Sequence, residues 1–246
     1  METKLSISTQ APESLSKVDI KDKNDELRKR LRELQPLMFA ESKHSLLIVL
    51  QGMDASGKDG TVKGVFNGVN PMGCKVKAYK APTEEERAHD FLWRIHLHAP
   101  QKGMIQIFNR SHYEDVLVPR VKNWIDMDEV KRRFDHINAW EQLLVDSGTQ
   151  ILKFYLHISE KEQSERFEDR LNDPEKRWKY KSSDLAEAKL WPSYRQAFED
   201  VFEKCGKAEP WQIIPADNKW YRDYLISMAV IERLESLNMQ YPQEIE

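Results

Sequence analysis

Five consecutive apolar residues, Leu46 to Leu50, run through Gln51 into Gly52-Met53-Asp54-Ala55-Ser56-Gly57-Lys58-Asp59-Gly60. An apolar run of that length reads as a buried strand, and the segment after it fits G-x-x-x-x-G-K at Gly52, Gly57 and Lys58. Glycines in such a loop let backbone N–H groups turn inward around phosphate oxygens. The next helix, compatible with Thr61 to Val69, presents its positive end, and the lysine adds a full charge. The phosphate contacts expected are Gly52, Ala55, Ser56, Gly57, Lys58, Asp59 and Gly60, with Lys63 one turn on. The alternative is a glycine-bearing strand-to-helix turn with Lys58 merely solvated.

Two residues depart from the common loop. Asp59 follows the lysine, where other loops carry the Ser or Thr that ligates Mg²⁺. A second carboxylate, Asp54, lies inside the loop, and an acid aimed at phosphates is costly unless a metal or a proton stands between them. Asp54 is therefore expected to organise Mg²⁺ or handle an attacking phosphate oxygen; capping its own turn is the alternative.

The 246 residues fit one domain: a mobile segment over 1–20, then a single unit over 21–246. A formal charge of −3, from 38 basic and 41 acidic side chains, argues against a general nucleic-acid binder. Cys74 and Cys205 are too few for a disulfide framework or a zinc site. No apolar run approaches membrane-spanning length and Met1 to Gln10 has no signal-peptide pattern, so a soluble cytoplasmic protein without a membrane partner is expected.

Leu27, Leu31, Leu34 and Leu37 recur at helical spacing and predict an amphipathic helix from Asn24 to Phe39. Further strands are predicted over Lys75–Tyr79, Met104–Phe108, Ile151–Ile158 and Trp211–Ile214. Helices are predicted from Thr83 through Ile95, then over Asp128–Asp146, Glu160–Leu171, Asp184–Lys204 and Lys219–Leu237. This alternation implies an α/β fold with a five-stranded parallel sheet and helices on both faces, whose ligands collect at the carboxyl ends of the strands. That rim would carry the loop, Lys80 to Pro82, Asn109 to Asp115, Ser159, and Pro215 to Asn218.

The third strand ends in Asn109, where phosphate-loop enzymes commonly place a metal-holding acid. Metal duty then passes to Asp54, Glu114, Asp115 or the substrate phosphates, and Arg110 is placed to fork two phosphate oxygens. An ordinary arginine–glutamate ion pair in a polar loop is the other reading. Beyond the fourth strand, Arg170 to Lys181 holds five basic residues and two aromatics around Pro174. It reads either as a cationic lid over about 170–184 or as a solvated helix end. His89, His96 and His98 lack partners at zinc spacing and are assigned to structure or surface. Lys63, Lys75, Lys77 and Lys80 are either solvated edges or a track for a long polyanion.

The loop, His89 to His96, Phe108 to Leu117, and Pro215 to Arg222 together resemble the second family of polyphosphate kinases, in that family's order and over roughly residues 25–240. Asn109 with Tyr113-Glu114-Asp115 resembles most the subgroup that phosphorylates both AMP and ADP. The resemblance implies a three-layer P-loop kinase fold similar to thymidylate kinases, Mg²⁺ (with Mn²⁺ as a substitute), inorganic polyphosphate and adenine nucleotides as partners, and a homo-oligomer. It implies Asp54, Lys58, Arg110 and Asp115 as catalytic residues, with Asp54 and Asp115 on the metal. Arg170, Arg177, Lys179 and Lys181 match the basic lid. The nucleotide side would comprise Lys80, Trp93, Asn109, Arg110, Tyr113, Glu114, Asp115 and Arg120, with Trp93 and Tyr113 equally readable as core residues. The rivals are an ATP-using nucleoside or nucleotide kinase and a GTP-binding switch; Asn218-Lys219-Trp220-Tyr221 lacks the acid such a switch uses to read guanine.

Overall fold

In the computed structural model, which describes residues 4–179 and 187–243, the apolar run becomes β1 (Ser45–Gln51), buried along its whole length. A strand can be apolar on both faces only where both are covered, and β1 is the middle strand of a parallel sheet ordered β2-β3-β1-β4-β5. The others are β2 (Cys74–Ala78), β3 (Ile105–Asn109), β4 (Thr149–His157) and β5 (Trp211–Pro215). Leu46 pairs with Ile105 on one side and Gln150 on the other. All five strands thus point their carboxyl ends the same way, as the alternating pattern implied.

The first helix, α1 (Lys17–Glu41), starts seven residues before the predicted Asn24. Ser16 and Asp19 form a capping box, and Ile20 is buried although the leucine stripe begins only at Leu27. Part of the segment expected to be mobile touches the body. Leu5 is buried, Thr9 Oγ1 donates to Asp217 Oδ2 at 2.7 Å, and the Ala11 N–H donates to Asn218 Oδ1 at 2.8 Å.

Helix α2 (Lys58–Val65) succeeds the loop. The helix predicted from Thr83 through Ile95 is two short ones, α3 (Glu84–Ala88) and α4 (Trp93–His96). The break falls at His89, which is extended, and Asp90, whose side chain accepts from the Leu92 N–H as an Asx turn. After β3 comes α5 (Glu114–Val121), a helix that the sequence pattern does not predict, then α6 (Met127–Asp146) and α7 (Glu160–Asn172). Helix α8 (Trp191–Lys204) has Pro192 in its first turn, where a missing N–H costs nothing; positions 184–186 of the helix predicted from Asp184 lie outside the described residues. The last helix is α9 (Lys219–Ser236). It packs on α1 and α2, while α5 packs against α6 and α8, giving helices on both faces of the sheet. No helix among the described residues is long and apolar enough to cross a membrane.

Candidate active site

The loop between β1 and α2 has the backbone its composition demands. Gly57 caps α2 at φ 98°, and a Cβ there would lie 2.3 Å from an Arg222 guanidinium nitrogen, so only glycine fits. Ala55, at φ 61°, is held in the left-handed region without that freedom. N–H groups that face a ligand require carbonyls that face away, and three side chains from later elements receive those carbonyls. Gln163 Nε2 donates to Asp54 O at 2.8 Å, Arg166 Nη1 to Ala55 O at 2.8 Å, and Arg222 Nη1 to Gly57 O at 3.3 Å. Arg166 also donates to Ala216 O and Asp217 O, tying the loop to the turn after β5.

Lys58 folds back over the loop and donates to Gly52 O at 2.9 Å, Met53 O at 3.1 Å and Ser56 Oγ at 3.2 Å. Burial, then the neighbouring Arg110 charge, lower its pKa to about 8. Arg110 follows β3 at φ 62°, a left-handed conformation rare for arginine. It turns the guanidinium to Asp54 Oδ1 at 2.6 Å and Glu114 Oε2 at 3.4 Å, and the Glu114 charge raises its pKa. Asn109 Nδ2 donates to Asp59 Oδ1 at 2.7 Å.

Lys58, Arg110, Asp54, Glu114, Asn109 and Asp59 line a cleft of about 1830 Å³ at the carboxyl ends of the strands. Arg166, Arg170, Lys219 and Arg222 also line the cleft, as do Lys80 and the apolar Phe91, Leu92, Val118, Pro119, Trp124 and Leu143, among further charged and aromatic side chains. Asp115 also reaches the cleft but is mostly buried and paired with Arg94 Nη2 at 2.9 Å; burial raises its pKa, against the pull of Arg94.

The structure separates the predicted residues. Asp54, Ala55, Ser56, Gly57, Lys58, Asp59, Gly60, Lys80, Asn109, Arg110, Glu114, Asp115 and Arg170 all line the cleft. Tyr113 does not: it is wholly buried, donating to Glu141 Oε1 at 2.7 Å and accepting from Lys153 Nζ at 3.1 Å, so it has no face to offer a base. Arg120 pairs with Asp200 behind α5, Trp93 stacks on His89 with ring centroids 4.1 Å apart, and Lys63 is exposed beyond the first turn of α2; none of the three is on the cleft wall. Of the lid set, Arg177 is exposed on a short 3-10 turn, the side chain of Lys179 is not described, and Lys181 lies outside the described residues. Sequence reasoning missed Arg94, Gln163, Arg166 and Arg222. Gln163 and Arg166 are three apart on α7, the spacing of one helix face, which was the available signal.

A model of the polyphosphate kinase 2 family matches residues 14–242. The chain belongs to that family. An AMP/ADP-polyphosphate phosphotransferase from Meiothermus ruber is 51% identical over 218 residues, spanning 88% of this chain and 82% of the relative. An ADP-polyphosphate phosphotransferase from Rhodopseudomonas palustris is 40% identical over 87% of this chain and 78% of its own. The crystal structure of polyphosphate kinase 2 from Arthrobacter aurescens superposes with a TM-score of 0.95 at 39% identity, covering 100% of this chain and 89% of that one. The P-loop kinase fold and the family expected from the four motifs are therefore both found, and the chain is a kinase.

Proposed function

We propose that this chain moves a phosphoryl group from inorganic polyphosphate to AMP and to ADP, with a divalent cation, Mg²⁺ foremost. The observation that carries the reading is one cleft whose lining includes the cations Lys58, Arg110, Arg166, Arg170, Lys219 and Arg222 as well as apolar side chains such as Phe91, Leu92, Val118 and Trp124. A polyanion fits the first and a nucleoside the second. The relatives' names, which give polyphosphate with AMP or ADP, support the same pair of substrates.

Phosphoryl transfer asks the protein mainly for position and charge. Lys58 is three donors tied to loop oxygens, poised to swing onto the transferring group. Arg110, aimed by Asp54 and Glu114, meets it from the β3 side. Mg²⁺ takes one or two carboxylates and fills its shell with water and phosphate oxygens, which suits a cleft lined by Asp54 and Asp115. Asp54 would hold it, with Asp115 further back against Arg94. When bound, the cation would neutralise charge on the phosphate oxygens as transfer proceeds. In cells we expect a cytoplasmic homo-oligomer.

The test is donor dependence. Purified protein with Mg²⁺ and AMP or ADP should form ADP or ATP with polyphosphate as the sole donor, read by chromatography. Transfer to a nucleoside or nucleotide from ATP, with polyphosphate ignored, would overturn the reading in favour of an ATP-using kinase.

A further inference from the structure

The segment before α1 is fastened to the body at two places. Leu5 is buried, with its N–H donating to Glu199 Oε1 at 2.9 Å and its carbonyl accepting from Arg195 Nη2 at 2.7 Å, both partners on α8. Further on, the segment grips the turn after β5. Thr9 Oγ1 donates to Asp217 Oδ2 at 2.7 Å, the Asp217 N–H donates to Thr9 O at 3.0 Å, and the Ala11 N–H donates to Asn218 Oδ1 at 2.8 Å. Asn218 stands at the N-cap of α9, where such a side chain ordinarily accepts from the first turn of its own helix; here it makes no capping bond and accepts from Ala11 instead.

The same turn holds one end of the phosphate loop's support. Arg166 Nη2 donates to Ala216 O at 2.7 Å and to Asp217 O at 3.2 Å, while its Nη1 donates to Ala55 O at 2.8 Å. The other carboxylate oxygen of Asp217, Oδ1, accepts at 2.9 Å from the N–H of Ser159, the N-cap of the helix that carries Arg166. One carboxylate thus joins the N-terminal segment to α7. Ala55 needs a fixed partner, because its left-handed backbone at φ 61° is unfavourable for a residue with a Cβ and persists only where its surroundings hold it. A segment that merely covered apolar surface at Leu5 would ask nothing of Asp217.

We propose that the N-terminal segment is part of the phosphate loop's support, with Thr9 a positioning residue that acts on Ala55 through Asp217 and Arg166. This inference rests on the phosphoryl-transfer reading above and extends the loop's support to a stretch outside the motifs that mark the family.

The experiment measures kcat and KM with polyphosphate and AMP, melting temperature, and amide exchange over residues 54–60. It compares the unsubstituted protein with Thr9→Val, Thr9→Ser, Arg166→Met and Thr9→Val/Arg166→Met. Thr9→Val, which keeps the shape but loses the donor, should lower kcat about fivefold, leave the KM for AMP little changed and quicken exchange in the loop. Thr9→Ser, which keeps the hydroxyl, should behave as the unsubstituted protein does. With Arg166 already replaced, Thr9→Val should lower kcat further by about twofold or less, since both changes act on one path. A lower melting temperature in Thr9→Val with kcat and loop exchange unchanged would overturn the proposal and leave the segment a cover. So would a loss that persists undiminished in the Arg166→Met background. An unsubstituted protein that transfers nothing from polyphosphate would sink the functional reading, while quicker loop exchange in Thr9→Val, which needs no turnover, would still support this one.

Discussion

Lys58 shows how burial sets the pH behaviour of a single residue. Its pKa falls from 10.5 to about 8 because the ammonium is desolvated and Arg110 is near. Anionic phosphate favours the charged form, so polyphosphate affinity, measured by calorimetry, should weaken as pH rises through about 8. Folding has the opposite sign in that range: between about 8 and 10.5 the unfolded chain holds a proton the folded one lacks, so this residue's contribution to stability rises with pH. Lys58→Ala should remove the pH effect, and both it and Asp54→Asn should cut turnover roughly 10²-fold or more with the fold retained, read by circular dichroism. Asp54→Asn with half its activity left would end the role assigned to that acid. Tyr113 makes the contrasting case. Its hydroxyl serves the buried Lys153–Glu141 pair, 2.5 Å apart, so Tyr113→Phe should cost about 1–3 kcal/mol and leave the KM for AMP unchanged. A raised KM with an unchanged melting temperature would restore it to the nucleotide. The sequence places Tyr113 two residues before a cleft-lining acid, and nothing in the one-dimensional pattern tells which side of the turn its ring takes; that depends on Glu141, Lys153 and Trp211, which arrive from three other elements.

At the scale of elements, what could be read from sequence was what is local. The strand, the loop and α2 are contiguous, so their order and chemistry were visible in Leu46 to Gly60. The supports of the loop were not, because Gln163, Arg166 and Arg222 reach it from more than 100 residues away. Helix α7 in particular acts as a brace: Arg166 spans from Ala55 to the Ala216–Asp217 turn, which also anchors Thr9. Arg166→Met should let the loop carbonyls turn inward and lower kcat about 10²-fold, since small misplacements of a reacting group cost that much. The KM for AMP should change little, and amide exchange over residues 54–60 should quicken. Loop exchange as slow as in the unsubstituted protein would remove the bracing role. The basic segment after α7 makes a separate prediction. Replacing Arg177, Lys179 and Lys181 together by Ala should weaken polyphosphate binding and flatten its salt dependence, because fewer counterions are released, while nucleotide affinity holds. Equal losses for both substrates would point to a structural role instead.

The whole molecule sets the acceptor range. Fold and family were legible in four motifs spread over the chain, but the breadth of the cleft, about 1830 Å³ with a mixed lining, is a property of the assembled sheet and its helices. An enzyme that uses both AMP and ADP must present an α-phosphate oxygen in one case and a β-phosphate oxygen in the other to the same donor phosphorus. The nucleoside must therefore slide by about one phosphate, which apolar lining side chains such as Phe91, Leu92, Val118, Pro119, Trp124 and Leu143 permit better than directional hydrogen bonds would. With Tyr113 and Trp93 off the lining, Phe91 and Trp124 are among the aromatic side chains that line the cleft and could meet a base. In a reaction begun with AMP and excess polyphosphate, ADP should rise first and ATP should come after it in the same vessel, with Trp124→Ala raising the KM for both acceptors together. ADP that accumulates to completion without ATP, or AMP left untouched while added ADP is consumed, would restrict the enzyme to one acceptor and show that a wide cleft can still hold its nucleotide in a single register.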